Sequence, residues 1–155
     1  MEKQIYAAID ANINRAVEGI RVCEDVMRFC LCRTDISTRL KEIRHRVVES
    51  ARRFNKNLLL YGRDVDSDAQ KFVDLDGERT RESLADIFAA NLHRAMEAVR
   101  SLEEFSKIEC PAAKDNPFQE IRFSMYALER EAVPIMTRQD KMSRFSRALY
   151  AVLDM

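Results

Sequence analysis

Two stretches of this chain carry the same five polar residues at the same spacing. They are Asn12, Arg15, Glu18, Arg21 and Glu24, then Asn91, Arg94, Glu97, Arg100 and Glu103. Guanidinium groups present forked N–H donors that match phosphate oxygens in pairs, and they never lose their charge. Four of them, with amides and carboxylates alongside, describe a cage for phosphate or polyphosphate. The sequence has no P-loop, no dinucleotide glycine fingerprint, no Ser-His-Asp arrangement and no His-Glu-x-x-His. A catalyst built from such groups works by positioning and charge neutralisation, which is what phosphoryl transfer needs.

Each step of three residues turns back by roughly 60° on an α-helix, so the five residues spiral and cannot share one face. Asn12, Asn91, Arg15 and Arg94 fall at the margin of the apolar stripe and are the leading site candidates. Glu18 and Glu97 are placed to orient those arginines. Arg21 can pair with Asp25, and Glu24 with Arg28, at a spacing that stabilises a helix by about 0.2–0.5 kcal/mol. For Glu24, Arg28 and Glu103 the expectation is therefore a solvated surface pair.

The elements that must hold these groups are helices. Ile9, Ile13, Ala16, Ile20, Cys23, Met27 and Cys30 alternate four and three apart, which makes Ile5 to Leu31 one amphipathic helix. Gly19, Val22, Val26 and Phe29 form a second apolar strip, so this helix packs on two sides. Thr34-Asp35-Ile36-Ser37 supplies cap residues for a second helix, running to about Leu60 with Leu40, Ile43, Val47, Ala51 and Phe54 inward. A third helix, about Arg81 to Ile108, repeats the first with Phe88, Leu92, Ala95, Val99 and Leu102. A fourth follows Pro111 and Pro117 with Phe118, Ile121, Met125 and Leu128.

Glu42-Ile43-Arg44 recurs as Glu120-Ile121-Arg122, so the repeat unit is a helical hairpin. Pro134 breaks or kinks the fourth helix. Residues 137–155 read as a fifth, which either caps the bundle or forms a homodimer. The expected fold is all-α, one domain over residues 1–155, a bundle of about five helices. It comprises a duplicated hairpin (copies about 9–60 and 87–135), a loop at 61–79 and the C-terminal helix.

That loop carries Asp64, Asp66, Asp68, Asp74 and Asp76, but Ala69 and Leu75 stand where a calcium loop needs Gly and Glu. It is either a solvated acidic loop or a flap bringing carboxylates to a magnesium-bound anion. The 26 basic and 26 acidic side chains cancel, which argues against binding nucleic acid through net field. Cys23, Cys30, Cys32 and Cys110 form no Cys-x-x-Cys pair, and His45 and His93 are isolated, so buried reduced thiols are expected rather than zinc. With no signal region and no apolar run near ~20 residues, the expected setting is cytoplasmic, away from membrane.

The string from Ala11 to Asp25 resembles the opening of a small helical family related to thiamin synthesis. So do Leu40-Lys41-Glu42-Ile43-Arg44-His45, Arg63-Asp64 with Asp68, Asn91 through Lys107, and Arg122 through Glu129. That family is the monofunctional hydroxymethylpyrimidine phosphate kinase, often fused in front of thiamin-phosphate synthase. The resemblance covers roughly Ile9 to Arg130. It implies transfer of the ATP γ-phosphoryl group to hydroxymethylpyrimidine phosphate, with Mg²⁺, and thiamin-phosphate synthase as functional partner.

On that footing Arg15, Arg94 and Arg63 are the candidate catalytic phosphate contacts, and Asp64 and Asp68 the candidate Mg²⁺ ligands. Asn12, Asn91, Glu18, Glu97, Arg21 and Arg100 are the candidate substrate-binding residues. The family loop usually continues into Gly-Thr where this chain has Gln70 and Lys71. The alternative expectation is a diverged pyrimidine-phosphate-binding or helical interaction module.

Overall fold

Apolar stripes at helical spacing need a facing surface, and the chain supplies it by pairing each stripe with its own duplicate. The computed structural model describes residues 1–63, 80–111 and 115–153. Among these the regular elements are all helical: α1 (Glu2–Asp25), a π-turn (Val26–Cys30), α2 (Thr34–Ala51), α3 (Lys56–Gly62), α4 (Leu84–Glu109) and α5 (Pro117–Leu153). The expected all-α bundle is observed.

The helix α1 packs along α4, each also packs on the second helix of its own hairpin, and α2 meets α5. Cys23 Sγ donates to Phe88 O at 3.4 Å while Gly19 faces Asn91 and Ala95, so α1 and α4 run antiparallel. Ile9, Ala16, Ile20, Leu40, Val47, Leu92, Val99, Ile121 and Leu128 are fully buried between the layers. Where the chain leaves α2 and enters α5 the rings of Phe54 and Phe118 stack with centroids 6.1 Å apart. On the outer side Arg39 pairs with Glu131, and Arg46 with Glu120 at 3.5 Å, clasping α2 to α5.

The seam between α1 and α4 is set by small residues. A Cβ added at Gly19 would lie 2.6 Å from Asn91 O and 3.2 Å from Ala95 Cβ. Likewise a Cβ at Gly62 would lie 2.8 Å from Ala7 N, so α3 can lie against α1 only because that position is bare.

Four features depart from the sequence pattern, each for a local reason. First, α1 ends in a π-turn, where Leu31 N donates to Val26 O at 3.1 Å. A π-turn carries more residues than an α-turn, so the stripe that runs through Cys23 and Met27 continues at Leu31, not Cys30. Of the four free thiols only Cys23 is buried; Cys30 and Cys32 are exposed and Cys110 is half-buried. Burial pushes the Cys23 thiol up to about 12. Phe29, expected on an apolar strip, is 64% exposed.

Second, α2 starts where expected but its N-cap is Arg33, with no side-chain cap bond. The Arg33 guanidinium instead grips both oxygens of Asp35 at 3.0 and 2.7 Å, holding that carboxyl down at about 2. Third, α2 stops at Ala51 rather than near Leu60. The Asn55 side chain then caps α3 by accepting from Asn57 N and Leu58 N. Tyr61 and Gly62 therefore belong to a helix, and the rest of the acidic loop, 64–79, lies outside the described residues.

Fourth, α5 runs through Pro134 without a break. Of the separate helix expected at 137–155, the described part, to Leu153, is the continuation of the fourth. Proline removes one N–H donor from the ladder, and Ala132 and Met136, both buried against the core, keep the flanking turns seated.

Two substitutions test this geometry. Gly19→Val drives methyl groups into the α4 backbone and should destabilise by about 1–3 kcal/mol, read as a lower midpoint in urea. Cys32 has φ 53, a left-handed conformation that costs a side-chain-bearing residue about 1 kcal/mol, so Cys32→Gly should raise the midpoint.

Candidate functional site

The repeated polar residues divide into a buried set and a free set. Glu24 and Glu103, expected on the surface, are the buried ones, with side chains 4% and 6% exposed. Each sits at the α-hairpin interface and is met by the arginine of the repeated Glu-Ile-Arg. Arg44 Nε donates to Glu24 Oε2 at 3.0 Å, and Arg122 Nε donates to Glu103 Oε2 at 3.0 Å. The remaining oxygen of each accepts from the first helix: Arg21 at 3.4 Å on Glu24, Arg100 at 2.6 Å on Glu103. Arg21 also reaches Asp25 at 3.4 Å and Arg100 reaches Glu104 at 2.8 Å.

The surface-pair expectation for Glu24 and Glu103 is thus corrected. The i,i+4 partner Arg28 is not used by Glu24; its guanidinium covers the Phe29 ring at 4.8 Å. A carboxylate enclosed between two helices needs a cation from the second helix, because leaving it unpaired in low dielectric is expensive. Arg44 and Arg122 were legible as part of the repeat, but their pairing with Glu24 and Glu103 depended on hairpin register.

Asn12 and Asn91 are part-buried, and each donates back to its own helix, to Ala8 O and Ile87 O at 2.8 Å. Arg15, Arg94, Glu18 and Glu97 are exposed. Arg15 lies one turn before Gly19, and Arg94 one turn before the counterpart Ala98. Both therefore flank the α1–α4 seam. Neither is paired with a carboxylate among the described residues.

Arg63 is committed elsewhere: its Nε and Nη2 grip Asp10 Oδ2 and Oδ1, both at 2.8 Å. Those hydrogen bonds hold the Arg63 guanidinium above its ordinary pKa. Asn14 adds a 3.3 Å bond to Asp10 Oδ2. Asp10 carried no sequence signal, since its repeat counterpart is Ala89. The pair fixes the point where the chain leaves α3 for the acidic loop.

Asp64 and Asp68 lie outside the described residues. Among the described residues no three His, Cys, Asp or Glu side chains gather to hold a metal, and no helix is long and apolar enough to cross a membrane.

Residues 7–131 match the ThiD2 family. This chain belongs to that family. The ThiD2-family chain is also similar to three curated proteins named thiamine-phosphate synthase. The protein of Rhodopirellula baltica is 33% identical over 157 residues, covering 97% of this chain and 40% of that protein. Those of Prochlorococcus marinus subsp. pastoris and Thermosynechococcus vestitus are 34% and 30% identical, each covering 97% of this chain and 42% and 41% of the relative. The chain thus spans about two fifths of the length of the curated relatives it matches. No solved structure matches it.

The buried carboxylates yield a prediction about stability. Glu103→Leu strands the Arg122 charge and should destabilise by about 3–5 kcal/mol in a urea titration. The double replacement Glu103→Leu with Arg122→Met removes both charges and should recover most of that loss.

Proposed function

We propose that this chain transfers the γ-phosphoryl group of ATP to hydroxymethylpyrimidine phosphate, in thiamin synthesis. An oxygen of the acceptor phosphate forms the new P–O bond as the bond from the γ-phosphorus to the bridging β–γ oxygen breaks. The products are ADP and the pyrimidine diphosphate. The acceptor phosphate is ionised at neutral pH, so no strong general base is called for. What the reaction asks of a protein is to offset repulsion between two polyanions and hold them in line.

One observation carries this reading. Of the four repeated arginines, Arg21 and Arg100 are tied to buried carboxylates, whereas Arg15 and Arg94, both beside one seam, pair with no carboxylate among the described residues. Unpaired guanidinium groups held by rigid helices are suited to grip phosphate without first breaking an ion pair. Magnesium enters with the nucleotide, and Asp64 and Asp68 are its proposed protein ligands. Membership of the ThiD2 family and likeness to proteins named thiamine-phosphate synthase support placing the reaction next to that synthase, which would take up the diphosphate.

A second reading has one observation in its favour: Arg63, the third candidate arginine, is held by Asp10. A module that binds the pyrimidine phosphate without turning it over would tolerate that arrangement.

The two readings separate in one assay. With Mg-ATP and hydroxymethylpyrimidine phosphate, phosphoryl transfer predicts stoichiometric ADP, and none with the unphosphorylated alcohol. Arg15→Met and Arg94→Met should each lower kcat/KM by about tenfold or more, the size of a lost charge-assisted contact. Both side chains are exposed, and neither is paired with a carboxylate among the described residues, so thermal midpoints should stay near that of the parent. Thermal stabilisation by the pyrimidine phosphate with no ADP would select the binding module.

A further inference from the structure

The second hairpin carries a groove between its two helices, and the matching positions of the first hairpin differ from it in one respect that matters for a ring-shaped ligand. Between α4 and α5 a groove of about 420 Å³ is lined by His93, Met96, Glu97, Arg100 and Tyr126. In the repeat these residues fall on Asn14, Val17, Glu18, Arg21 and Val48. The charges are duplicated, but the aromatic face occurs once.

That face is held in place from below. Glu103 accepts from Arg100 through Oε1 and from Arg122 through Oε2. Arg122 Nη1 donates in turn to Tyr126 Oη at 3.1 Å, and its guanidinium lies 5.6 Å from the Tyr126 ring centroid. Phe123 meets the Tyr126 ring edge-on, at 5.9 Å and 86°. Tyr126 nevertheless keeps 40% of its surface open. On the opposite wall His93 Nε2 lies 2.6 Å from Glu129 Oε1, which ties the imidazole to α5. One buried carboxylate thus positions both a guanidinium and, through Arg122, an aromatic ring.

On the first hairpin the corresponding flank offers Val48 beside arginines already engaged: Arg44 with Glu24, Arg46 with Glu120 and Arg52 with Glu49. The lining there includes the His45 imidazole but no phenol or phenyl ring.

We propose that the α4–α5 groove binds one planar nitrogen heterocycle bearing a phosphate, stacked on Tyr126, so that each chain takes one such ring rather than one per repeat. The Tyr126 ring and the Met96 thioether supply the apolar and polarisable contacts that flat heterocycles favour. Glu97 is placed to accept from an exocyclic amino group. The phosphate falls to Arg94, which lies three residues from Glu97 on the adjoining surface of α4. The identity of the ring as hydroxymethylpyrimidine phosphate rests on the function proposed above.

Calorimetric titration of the full chain with hydroxymethylpyrimidine phosphate, with ADP formation followed in parallel, tests the site. The expected result is one equivalent bound per chain. Tyr126→Val, which makes the second groove resemble the first, should weaken binding about tenfold or more. Tyr126→Phe should keep close to the parent affinity, Glu97→Gln should weaken it, and Val48→Ala should leave it unchanged. If Tyr126→Val unfolds the chain, the Glu97→Gln and Tyr126→Phe results decide the matter.

Two equivalents per chain, or an unchanged Kd in Tyr126→Val and Glu97→Gln, would overturn the site. Turnover with an unaltered KM in Tyr126→Val would overturn it while phosphoryl transfer stands. Binding lost in that variant, with no ADP from the parent, would uphold the site while phosphoryl transfer fails.

Discussion

The structure depends on two enclosed carboxylates. Glu24 and Glu103 sit where the helices of each hairpin meet, and each must be matched by a cation from the facing helix. The requirement fixes hairpin register, because shifting either helix by one residue would move Arg44 or Arg122 out of reach. It also divides the repeated arginines into two kinds. Arg21 and Arg100 complete the coordination of those carboxylates, whereas Arg15 and Arg94 pair with no carboxylate among the described residues.

Duplication gives this framework near-twofold symmetry, and the departures from symmetry mark where the copies have different tasks. Gly19 has Ala98 as its counterpart in the repeat, and the α1 position is bare because a Cβ there would meet Asn91 O. Asp10 has Ala89 as counterpart, and it alone tethers Arg63 at the exit from α3. Val48 and Tyr126 occupy equivalent places above equivalent ion pairs, yet only Tyr126 can stack on a ring. Symmetric packing and asymmetric chemistry coexist because packing reads size and hydrophobicity, whereas recognition reads functional groups.

Much of the architecture was legible from residue spacing. The three-and-four stripes located the long helices, and the recurrence of Glu-Ile-Arg identified the hairpin as the repeat unit. Breaks in that spacing were read less well. At Cys30 a π-turn shifted the register, moving an apparently inward thiol to the surface. At Pro134 the loss of one backbone donor was outweighed by burial of Ala132 and Met136. Near Asn55 a side-chain cap started a short helix inside what read as one long element.

The sequence by itself determined the helical class, the duplication and the roster of repeated charges, because these follow from periodicity and local chemistry along the chain. Which of those charges are buried and which are free was decided by tertiary structure. A side chain's solvation depends on the helix laid across it, and that neighbour lies about 20 residues away in sequence for Glu24 and Arg44, as it does for Glu103 and Arg122. The same holds for the aromatic groove: Tyr126 acquires its fixed orientation only where Arg122, Glu103 and α4 come together.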